Sequence, residues 1–458
     1  MNTFATLELA PSLSQGLDAL GYTEMTPVQA QGLPLILAGS DLIAQAPTGS
    51  GKTAAFGLGL LQRIDVTNAR VQALVLCPTR ELADQVAKEI RKLATGIANL
   101  KVLLLVGGVS LRPQLASLGR PPHVIVGTPG RVLELLKQQA LKLGAVRTLV
   151  LDEADRMLDM GFEDDIRQIA GKTGKERQTL LFSATYPAAI RELAPSLMRE
   201  PAEITVDAAL EQPAIEQIFH EVDAAQRAGA IAALLLTHRP ESAVVFCNMR
   251  RDTEELVAAL RGFGFSALAL HGDMEQRDRD EILLRFANGS CSVLAASDVA
   301  ARGLDIKDLA AVINYELPSD PDVYLHRIGR TGRAGRGGMA LSLVAPREMP
   351  RAHALRDQHG QDYRWASVVP LRTRSGEAPQ AKMATLRIDA GKTDKLRAGD
   401  ILGALTGDTG LSASAIGKID IFPTRSYVAI RRDLLAQALK RLSAGKIKGR
   451  NFRVRAIQ

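Results

Sequence analysis

Residues 41–53 read DLIAQAPTGSGKT, and this stretch decides the fold class. A short apolar run, typical of a buried strand, leads into a loop with glycines at 49 and 51, and a helical pattern follows from Lys52. A glycine loop can surround phosphate oxygens with backbone N–H groups, because no Cβ atom interferes. The loop lacks the opening glycine of the usual pattern, but its order of strand, loop, Lys and Thr predicts a nucleotide-binding α/β domain.

The same alternation of apolar runs and helical patterns continues along the chain and restarts after residues 206–217. Near-continuous Val, Leu and Ile runs are typical of strands buried on both faces of a parallel sheet. The last segment shows the order strand, helix, strand, strand, helix, strand, which predicts a ferredoxin-like α+β domain. We therefore predict four segments: parallel-sheet domains over residues 1–207 and 208–371, a linker over 372–381 and a small domain over 382–458.

Charge is distributed unevenly between these segments. The whole chain of 458 residues has a net charge of +7, but residues 382–458 hold 16 Lys and Arg against 6 Asp and Glu, a charge of +10. The remaining residues hold 41 against 44, a charge of −3. This asymmetry predicts that the last domain binds a polyanion, although a merely basic soluble domain is the alternative.

The sequence gives no sign of export, membrane insertion or structural metal. The three cysteines are far apart and lack zinc spacing, so we expect buried thiols in a reducing compartment. The N-terminus has no signal-peptide pattern, and no apolar run approaches the roughly 20 residues that span a bilayer. We expect a cytoplasmic protein with no membrane partner, and a monomer.

Acidic residues end a later apolar run, in VLDEAD at residues 150–155. Such a strand is typical of a Mg²⁺-binding site that accompanies a phosphate loop. We expect Asp152 to hold the metal with Thr53, Glu153 to position or deprotonate the attacking water, and Lys52 to reach the β- and γ-phosphates. A helix N-cap is the structural alternative. ATP and Mg²⁺ are thus the predicted cofactors, and the phosphate loop comprises Ala46, Pro47, Thr48, Gly49, Ser50, Gly51, Lys52 and Thr53.

A glycine-spaced arginine ladder, HRIGRTGRAGRGG, occupies residues 326–338. A collagen-like repeat needs many more such triplets and abundant proline. A disordered RNA-binding tail is another source of Arg/Gly repeats, but this run lies inside the chain between apolar segments. A solvated turn is the third alternative, and arginines that contact phosphate are the fourth.

Together these motifs, in this order, resemble the DEAD-box RNA helicases over roughly residues 1–350. The resemblance implies two RecA-like domains. It implies that GYTEMTPVQ at residues 21–29 reads adenine through Gln29, with Phe4 stacking on the base. It assigns Ser183 and Thr185, in SAT, and His326 to the coupling of hydrolysis with RNA. RNA-backbone contacts are implied for Pro78, Thr79, Arg80, Gly108, Thr128, Pro129, Gly130, Arg131, Gln276, Arg279, Ser297 and Asp298.

In the second domain, the resemblance places Asp305 near the ribose and phosphates and makes Arg330 and Arg333 arginine fingers for the γ-phosphate. One domain then binds Mg-ATP while the other supplies the fingers, so hydrolysis requires closure around RNA. Fingers of this kind are typically worth roughly 10³–10⁵ in rate.

The last domain resembles the RNA-recognition motif of the bacterial DbpA group. Arg387 stands where an aromatic residue usually stacks a base, and Tyr427 is retained while Arg425 and Ile430 fill other aromatic positions. Recognition by shape and phosphate, through Lys446, Lys448 and Arg450, therefore fits better than stacking on the sheet.

The resemblance implies an ATP-dependent RNA helicase that unwinds short duplexes, is directed to large-subunit ribosomal RNA and pre-ribosomal particles, and acts in ribosome assembly. A general RNA chaperone or RNA-decay helicase is one alternative. An ATP-gated RNA clamp or scaffold is an alternative of another class, and a DNA helicase fits the motifs less well.

Overall fold

The computed structural model describes residues 3–47, 49–186, 188–206, 215–301, 309–332, 337–360, 362–372, 378–407 and 410–457. The chain forms two compact units. The first contains the described residues up to Val206, and the second contains those from Ile215 onward. No helix in the described parts of the chain is long and apolar enough to cross a bilayer.

The first unit is built on a sheet whose described strands are β1 (Leu42–Gln45), β2 (Ala73–Leu76), β3 (Val102–Leu105), β4 (Val124–Gly127), β5 (Thr148–Asp152), β6 (Gln178–Ser183) and β7 (Ala202–Thr205). Their order is β3-β4-β2-β5-β6-β1-β7, with parallel pairing. The helices are α1 (Pro11–Ala19), α2 (Pro27–Ala38), α3 (Lys52–Gln62), α4 (Arg80–Leu93), α5 (Leu111–Leu118), α6 (Pro129–Lys137), α7 (Ala154–Asp159), α8 (Glu163–Ala170) and α9 (Ala188–Leu197).

Successive residues of these strands point into two separate cores. In β5, for example, Val150 packs into one hydrophobic cluster while Leu149 and Leu151 pack into the other. A strand that is buried on both faces is therefore apolar along most of its length rather than at alternate positions. The continuous apolar runs of the sequence thus correctly predict a parallel sheet covered by helices on both faces.

The second unit contains a sheet formed by β8 (Ile215–Glu221), β9 (Ala243–Cys247), β10 (Ala267–Leu270), β11 (Val293–Ser297), β12 (Ala311–Asn314), β13 (Gly338–Val344) and β14 (Arg364–Trp365). Its parallel order, β10-β11-β9-β12-β13-β8-β14, repeats that of the first sheet strand for strand. The accompanying helices are α10 (Arg227–His238), α11 (Arg250–Gly262), α12 (Gln276–Ala287), α13 (Asp298–Ala301), α14 (Pro321–Ile328) and α15 (Met349–His359).

The second unit also contains the small C-terminal domain, with β15 (Met383–Ile388), α16 (Ala398–Thr406), β16 (Ile416–Ile421), β17 (Ser426–Arg431), α17 (Leu435–Ala444) and β18 (Val454–Ile457). Its antiparallel sheet has the order β16-β17-β15-β18, and one sheet face packs on α16 and α17. The predicted fold class, two RecA-like parallel-sheet domains followed by a ferredoxin-like domain, is confirmed.

Candidate active site and RNA-binding loops

The phosphate loop connects β1 to α3 at the carboxyl edge of the first sheet. Gly49 and Gly51 both have a φ of +93°, a left-handed conformation that other residues adopt at a cost. Lys52, the first residue of α3, is buried, and its Nζ donates to the carbonyl of Ala46 at 3.0 Å. The ammonium therefore lies at the loop that would receive the phosphates of a nucleotide.

Asp152, at the end of β5, is 3% exposed. The pKa of its carboxyl is raised to about 7, mainly by burial; the Lys52 ammonium opposes this rise, and the neighbouring Glu153 and Asp155 carboxylates add to it. A carboxylate in this setting gains from an additional cation. The described residues contain no group of three acidic, His or Cys side chains that could hold a metal alone. Mg²⁺ usually takes only one or two carboxylates plus phosphate oxygens, so Asp152 with Thr53 fits a nucleotide-bound Mg²⁺.

Glu153 follows in a left-handed conformation, with φ 52°, at the N-cap of α7. Its buried carboxylate Oε2 lies 3.1 Å from Nη1 of Arg156, which is equally buried. Arg156 was not among the residues predicted from the sequence. Its signal was its place one helical turn after the acid, because residues i and i+3 of a helix are neighbours.

Asp155 ties the same strand end to the SAT segment. Its Oδ2 accepts hydrogen bonds from the backbone N–H of Ala184 at 3.2 Å, and from the N–H and hydroxyl of Thr185, each at 3.0 Å. Its own N–H donates to Ser183 Oγ at 3.3 Å. Because β6 lies between β5 and β1, this segment adjoins both the acidic residues and the phosphate loop.

Gln29 in α2 and Thr26, the residue before this helix, support the phosphate loop; the Thr26 hydroxyl donates to the carbonyl of Ser50 at 2.6 Å. Gln29 Nε2 donates to the carbonyl of Gly51 at 3.1 Å, and its Oε1 accepts from the backbone N–H of Thr26 at 2.9 Å. A Cβ on Gly51 would lie 2.4 Å from Gln29 Nε2, so the glycine also permits this close approach. Phe4 is buried, and its ring stacks against Tyr22 with centroids 6.2 Å apart.

The predicted RNA loops of the first unit follow three neighbouring strands, β3, β4 and β2. Pro78 and Thr79 precede α4, and Thr79 caps it through a hydrogen bond from Leu82 N–H at 3.3 Å. Gly108 has a φ of +67°, and a Cβ there would lie 1.8 Å from a guanidinium nitrogen of Arg80. The structure thus brings the 78–80 loop against the 107–108 loop.

The third loop of the first unit begins at Thr128, whose hydroxyl accepts from the N–H of Gly107 at 3.4 Å. Pro129 and Gly130 form the first turn of α6. Arg131 is buried, and its Nη2 donates to the carbonyl of Val109 at 3.0 Å. Its guanidinium therefore supports the neighbouring loop from within.

In the second unit, the predicted RNA loops also follow adjacent strands. Arg279 in α12 donates to the carbonyl of His271 at 3.4 Å and to that of Ala300 at 3.3 Å. Gln276 donates to Asp280 at 2.8 Å. Ser297 ends β11, and Asp298 begins α13 with both carboxylate oxygens bound by Arg327. His326 lies in α14, and Arg330 follows it and is buried.

Sequence profiles of three families match the chain: the DEAD/DEAH box helicase over residues 26–193, the helicase conserved C-terminal domain over 226–335 and the DbpA RNA binding domain over 385–456. The ATP-dependent RNA helicase DbpA of Escherichia coli is 52% identical over 459 residues, with 100% of both chains covered. The chain belongs to the DEAD-box ATP-dependent RNA helicases, in the DbpA group. It is therefore an enzyme that uses ATP, acts on RNA and carries a separate RNA-binding domain.

Other relatives match the DEAD-box core. The CshA helicase of Geobacillus kaustophilus is 45% identical, with 77% of this chain and 76% of that protein covered. Among solved structures, Saccharomyces cerevisiae Dbp5 bound to RNA and ADP BeF3 has a TM-score of 0.74 at 32% identity, covering 80% of this chain and 96% of that one. Mss116p bound to ssRNA and AMP-PNP has a TM-score of 0.72 at 28% identity, covering 81% and 80%.

Three predicted site residues of this DEAD-box helicase, Thr48, Asp305 and Arg333, lie outside the described residues. Asn248 and Arg250, which follow β9, were not among the predicted residues; Asn248 accepts a hydrogen bond from Arg327 at 2.7 Å, and Arg250 pairs with Asp273. Their signal was an internal repeat: Cys77-Pro-Thr-Arg80 at the end of β2 and Cys247-Asn-Met-Arg250 at the end of β9 occupy equivalent places in the two sheets.

The cations predicted to bind RNA in the C-terminal domain differ in their surroundings. Lys446 is exposed. Lys448 Nζ donates to the carbonyl of Lys395 at 2.9 Å and lies 3.8 Å from Asp400, while Arg450 lies 3.5 Å from Asp394. Each of the latter two thus has a carboxylate nearby, although both remain exposed.

The sheet face of this domain that is not covered by α16 and α17 packs against α12 and the residues that follow it. Tyr427 is 2% exposed, and its hydroxyl donates to Glu281 at 2.8 Å; burial and this bond raise the pKa of Tyr427 to about 12. The Thr385 hydroxyl bonds that of Ser290 at 2.8 Å. A tyrosine in this position cannot stack on an RNA base, which agrees with the expectation that the domain does not read RNA by stacking on its sheet.

Proposed function

We propose that this helicase is directed by residues 382–458 to large-subunit (23S) ribosomal RNA, unwinds short duplexes there and acts in ribosome assembly. The observation that carries the proposal is full-length similarity to DbpA together with a C-terminal domain of that group. The +10 charge of residues 382–458 supports it, because cations that replace counterions on phosphate dominate RNA affinity.

The proposed division of labour follows the predicted domain bounds 1–207, 208–371, 372–381 and 382–458. The loops of the two sheet domains present backbone amides, hydroxyls and cations, which suit phosphate contacts, and such contacts carry no sequence information directly. Selection of the RNA is therefore assigned to the last domain. We further propose that the chain acts as a monomer in the cytoplasm, on pre-ribosomal particles.

The proposed reaction begins with ATP at the phosphate loop. Lys52 contacts the β- and γ-phosphates, Gln29 and Phe4 hold adenine, and Asp152 with Thr53 holds Mg²⁺. The metal, when bound, neutralises charge on the phosphates. Glu153 orients the attacking water and accepts its proton, with Arg156 fixing the carboxylate. Arg330 and Arg333 stabilise charge on the transferred phosphoryl group once RNA has brought the domains together.

The test compares ATP turnover stimulated by large-subunit ribosomal RNA fragments with turnover stimulated by an unrelated hairpin of equal length. We expect half-saturation at a concentration at least tenfold lower for one ribosomal fragment. Equal responses to all RNAs would favour a general RNA chaperone or decay helicase. RNA binding that depends on ATP without turnover would favour a clamp.

Substitution of Lys446, Lys448 and Arg450 by alanine in the full chain should weaken binding of the preferred fragment about tenfold or more at 0.1 M salt. The slope of log affinity against log salt should fall, because each lost phosphate contact releases about one fewer counterion. The matched control replaces Lys418, Arg431 and Lys440 by alanine, which removes the same charge from exposed positions on other elements. Equal losses in both variants would mean that only net charge matters, and the surface assignment would be wrong.

A further inference from the structure

The guanidinium of Arg327 in α14 is 1% exposed, and each of its five N–H donors has an acceptor. Nε donates to Asp298 Oδ1 at 2.7 Å, and Nη2 donates to Asp298 Oδ2 at 2.6 Å and Asn248 Oδ1 at 2.7 Å. Nη1 donates to Asn314 Oδ1 at 3.2 Å and to the carbonyl of Glu316 at 2.8 Å. A fully satisfied buried network of this kind specifies one arrangement of its members.

The acceptors lie at the carboxyl ends of three separate strands. Asn248 follows β9, Asp298 follows β11, Asn314 is the last residue of β12 and Glu316 lies just beyond it; these three strands are neighbours in the order β11-β9-β12. The ring of Phe246 also lies 5.3 Å from the guanidinium carbon. Arg327 therefore clamps together the carboxyl ends of three adjacent strands.

A proposed RNA contact and a proposed arginine finger both adjoin the Arg327 hydrogen-bond network. Ser297, a proposed RNA contact, immediately precedes Asp298 in the chain. Arg330, the proposed finger, lies one turn beyond Arg327, and its backbone N–H donates to the Arg327 carbonyl at 3.2 Å. A shift of the RNA loop that moves the Asp298 carboxylate must break two charge-assisted hydrogen bonds or carry Arg327 with it.

We propose that Arg327 is a positioning residue that fixes the finger Arg330 relative to the RNA loop at Ser297 and Asp298, so that RNA contact sets the finger for hydrolysis. The inference rests on the proposed function, because it takes the RNA contact and the finger from there. Arg327 itself contacts neither ATP nor RNA.

Arg327→Lys is the sharpest test, because it retains the charge but replaces five donors in a planar fork with three donors on one nitrogen. At least two of the five acceptors then lose their partner. We expect turnover at saturating RNA to fall about 100-fold, since a displacement of about 1 Å in a reacting group can have this effect. Binding of a nonhydrolysable ATP analogue, and of target RNA, should change by less than about threefold in the full-length protein.

Arg227→Lys is the matched control, because Arg227 is also 1% exposed, lies in the same unit and forms buried ion pairs. Both variants should lose thermal stability, but Arg227→Lys should retain turnover at saturating RNA within about threefold. Equal losses of turnover in the two variants would reduce Arg327 to a general structural role and overturn the proposal.

Two further variants keep the proposal testable if Arg327→Lys folds poorly. Asn248→Ala removes one acceptor and should lower turnover about fivefold, with unchanged binding of the ATP analogue. Asp298→Asn should lower turnover strongly, and its combination with Arg327→Lys should be no worse than the single variants, because both break the same pair. Additive losses, or full turnover in Asn248→Ala, count against the inference.

The unmodified protein separates this inference from the proposed function. An absence of RNA-stimulated turnover in the unmodified chain would contradict the proposed function and this inference with it. Full stimulation in both the unmodified chain and Arg327→Lys would contradict this inference alone.

Discussion

The two parallel sheets of this helicase have the same strand order, but the charged residues at their carboxyl edges have different partners. Lys52 and Arg227 are each the first residue of the helix that follows β1 or its counterpart β8. Strand registers also make Glu153 equivalent to Glu316, because Thr148 pairs with Ala73 in β2 as Ala311 pairs with Ala243 in β9. The same places thus hold a cation and an acid in both sheets.

In the second sheet these charges neutralise each other. Arg227 Nη1 lies 2.7 Å from Glu316, its Nη2 pairs with Glu348, and its guanidinium lies 5.3 Å from the ring of Tyr315, the counterpart of Asp152. In the first sheet the Lys52 ammonium donates to the carbonyl of Ala46, and the pKa of Asp152 is raised to about 7, chiefly by burial. The same fold therefore places these charged residues at a nucleotide site in the first sheet and in a buried ion cluster in the second.

The largest effect on ATP turnover should come from Arg330, a residue of the second unit outside the Arg227 ion cluster. Arg330→Ala should lower RNA-stimulated ATP turnover by about 10³-fold or more, because it removes a finger that stabilises transition-state charge. Binding of ATP to the open protein should change little. The check is steady-state turnover together with ATP-analogue affinity; a weakened affinity with intact maximal turnover would show that Arg330 is not a finger.

Glu153→Gln should lower turnover about 10²–10⁴-fold, because an amide can occupy the site but cannot accept the proton of the attacking water. ATP and RNA binding should persist, and a long-lived complex with both should accumulate. Turnover is measured at saturating RNA, and complex lifetime by dissociation of labelled RNA. Near-normal turnover would remove Glu153 from its role.

Glu316→Gln is the control at the position equivalent to Glu153. It should lower the stability of the fold while leaving ATP turnover nearly unchanged. Breaking a buried ion pair leaves Arg227 undercompensated, so the free energy of unfolding should fall by about 3 kcal/mol. Turnover by the folded protein should stay within about threefold of normal. Denaturant unfolding and turnover at low temperature measure the two quantities; a loss of turnover as large as that of Glu153→Gln would refute the contrast between the sheets.

The smallest effect should come from Gln29. Gln29→Glu retains an acceptor for the Thr26 N–H but loses the donor to the Gly51 carbonyl. We expect about tenfold weaker ATP binding and a smaller preference for ATP over GTP, since a buried polar group left without a partner costs about 1–3 kcal/mol. Fluorescent nucleotide titration gives both values, and unchanged binding would mean that Gln29 does not support the phosphate loop.

Local sequence determined the parts of this protein whose chemistry is contained in a few consecutive residues. The glycine conformations of the phosphate loop, the acids at the end of β5 and the strand and helix order of the C-terminal domain are all encoded within short segments. Apolar runs also predicted the parallel sheets, since a strand covered on both faces is apolar along most of its length.

Only the tertiary structure decided which distant groups meet. Arg327 stood in the sequence as one arginine of a ladder, but its acceptors come from loops up to 79 residues away in the chain. Likewise, Tyr427 is 146 residues from the Glu281 carboxylate that it bonds. Composition marked the C-terminal domain as basic, but not which of its cations have carboxylates beside them. The physical reason is that burial forces each polar group to find a partner, and packing of whole elements, rather than neighbouring sequence, determines which partner is within reach.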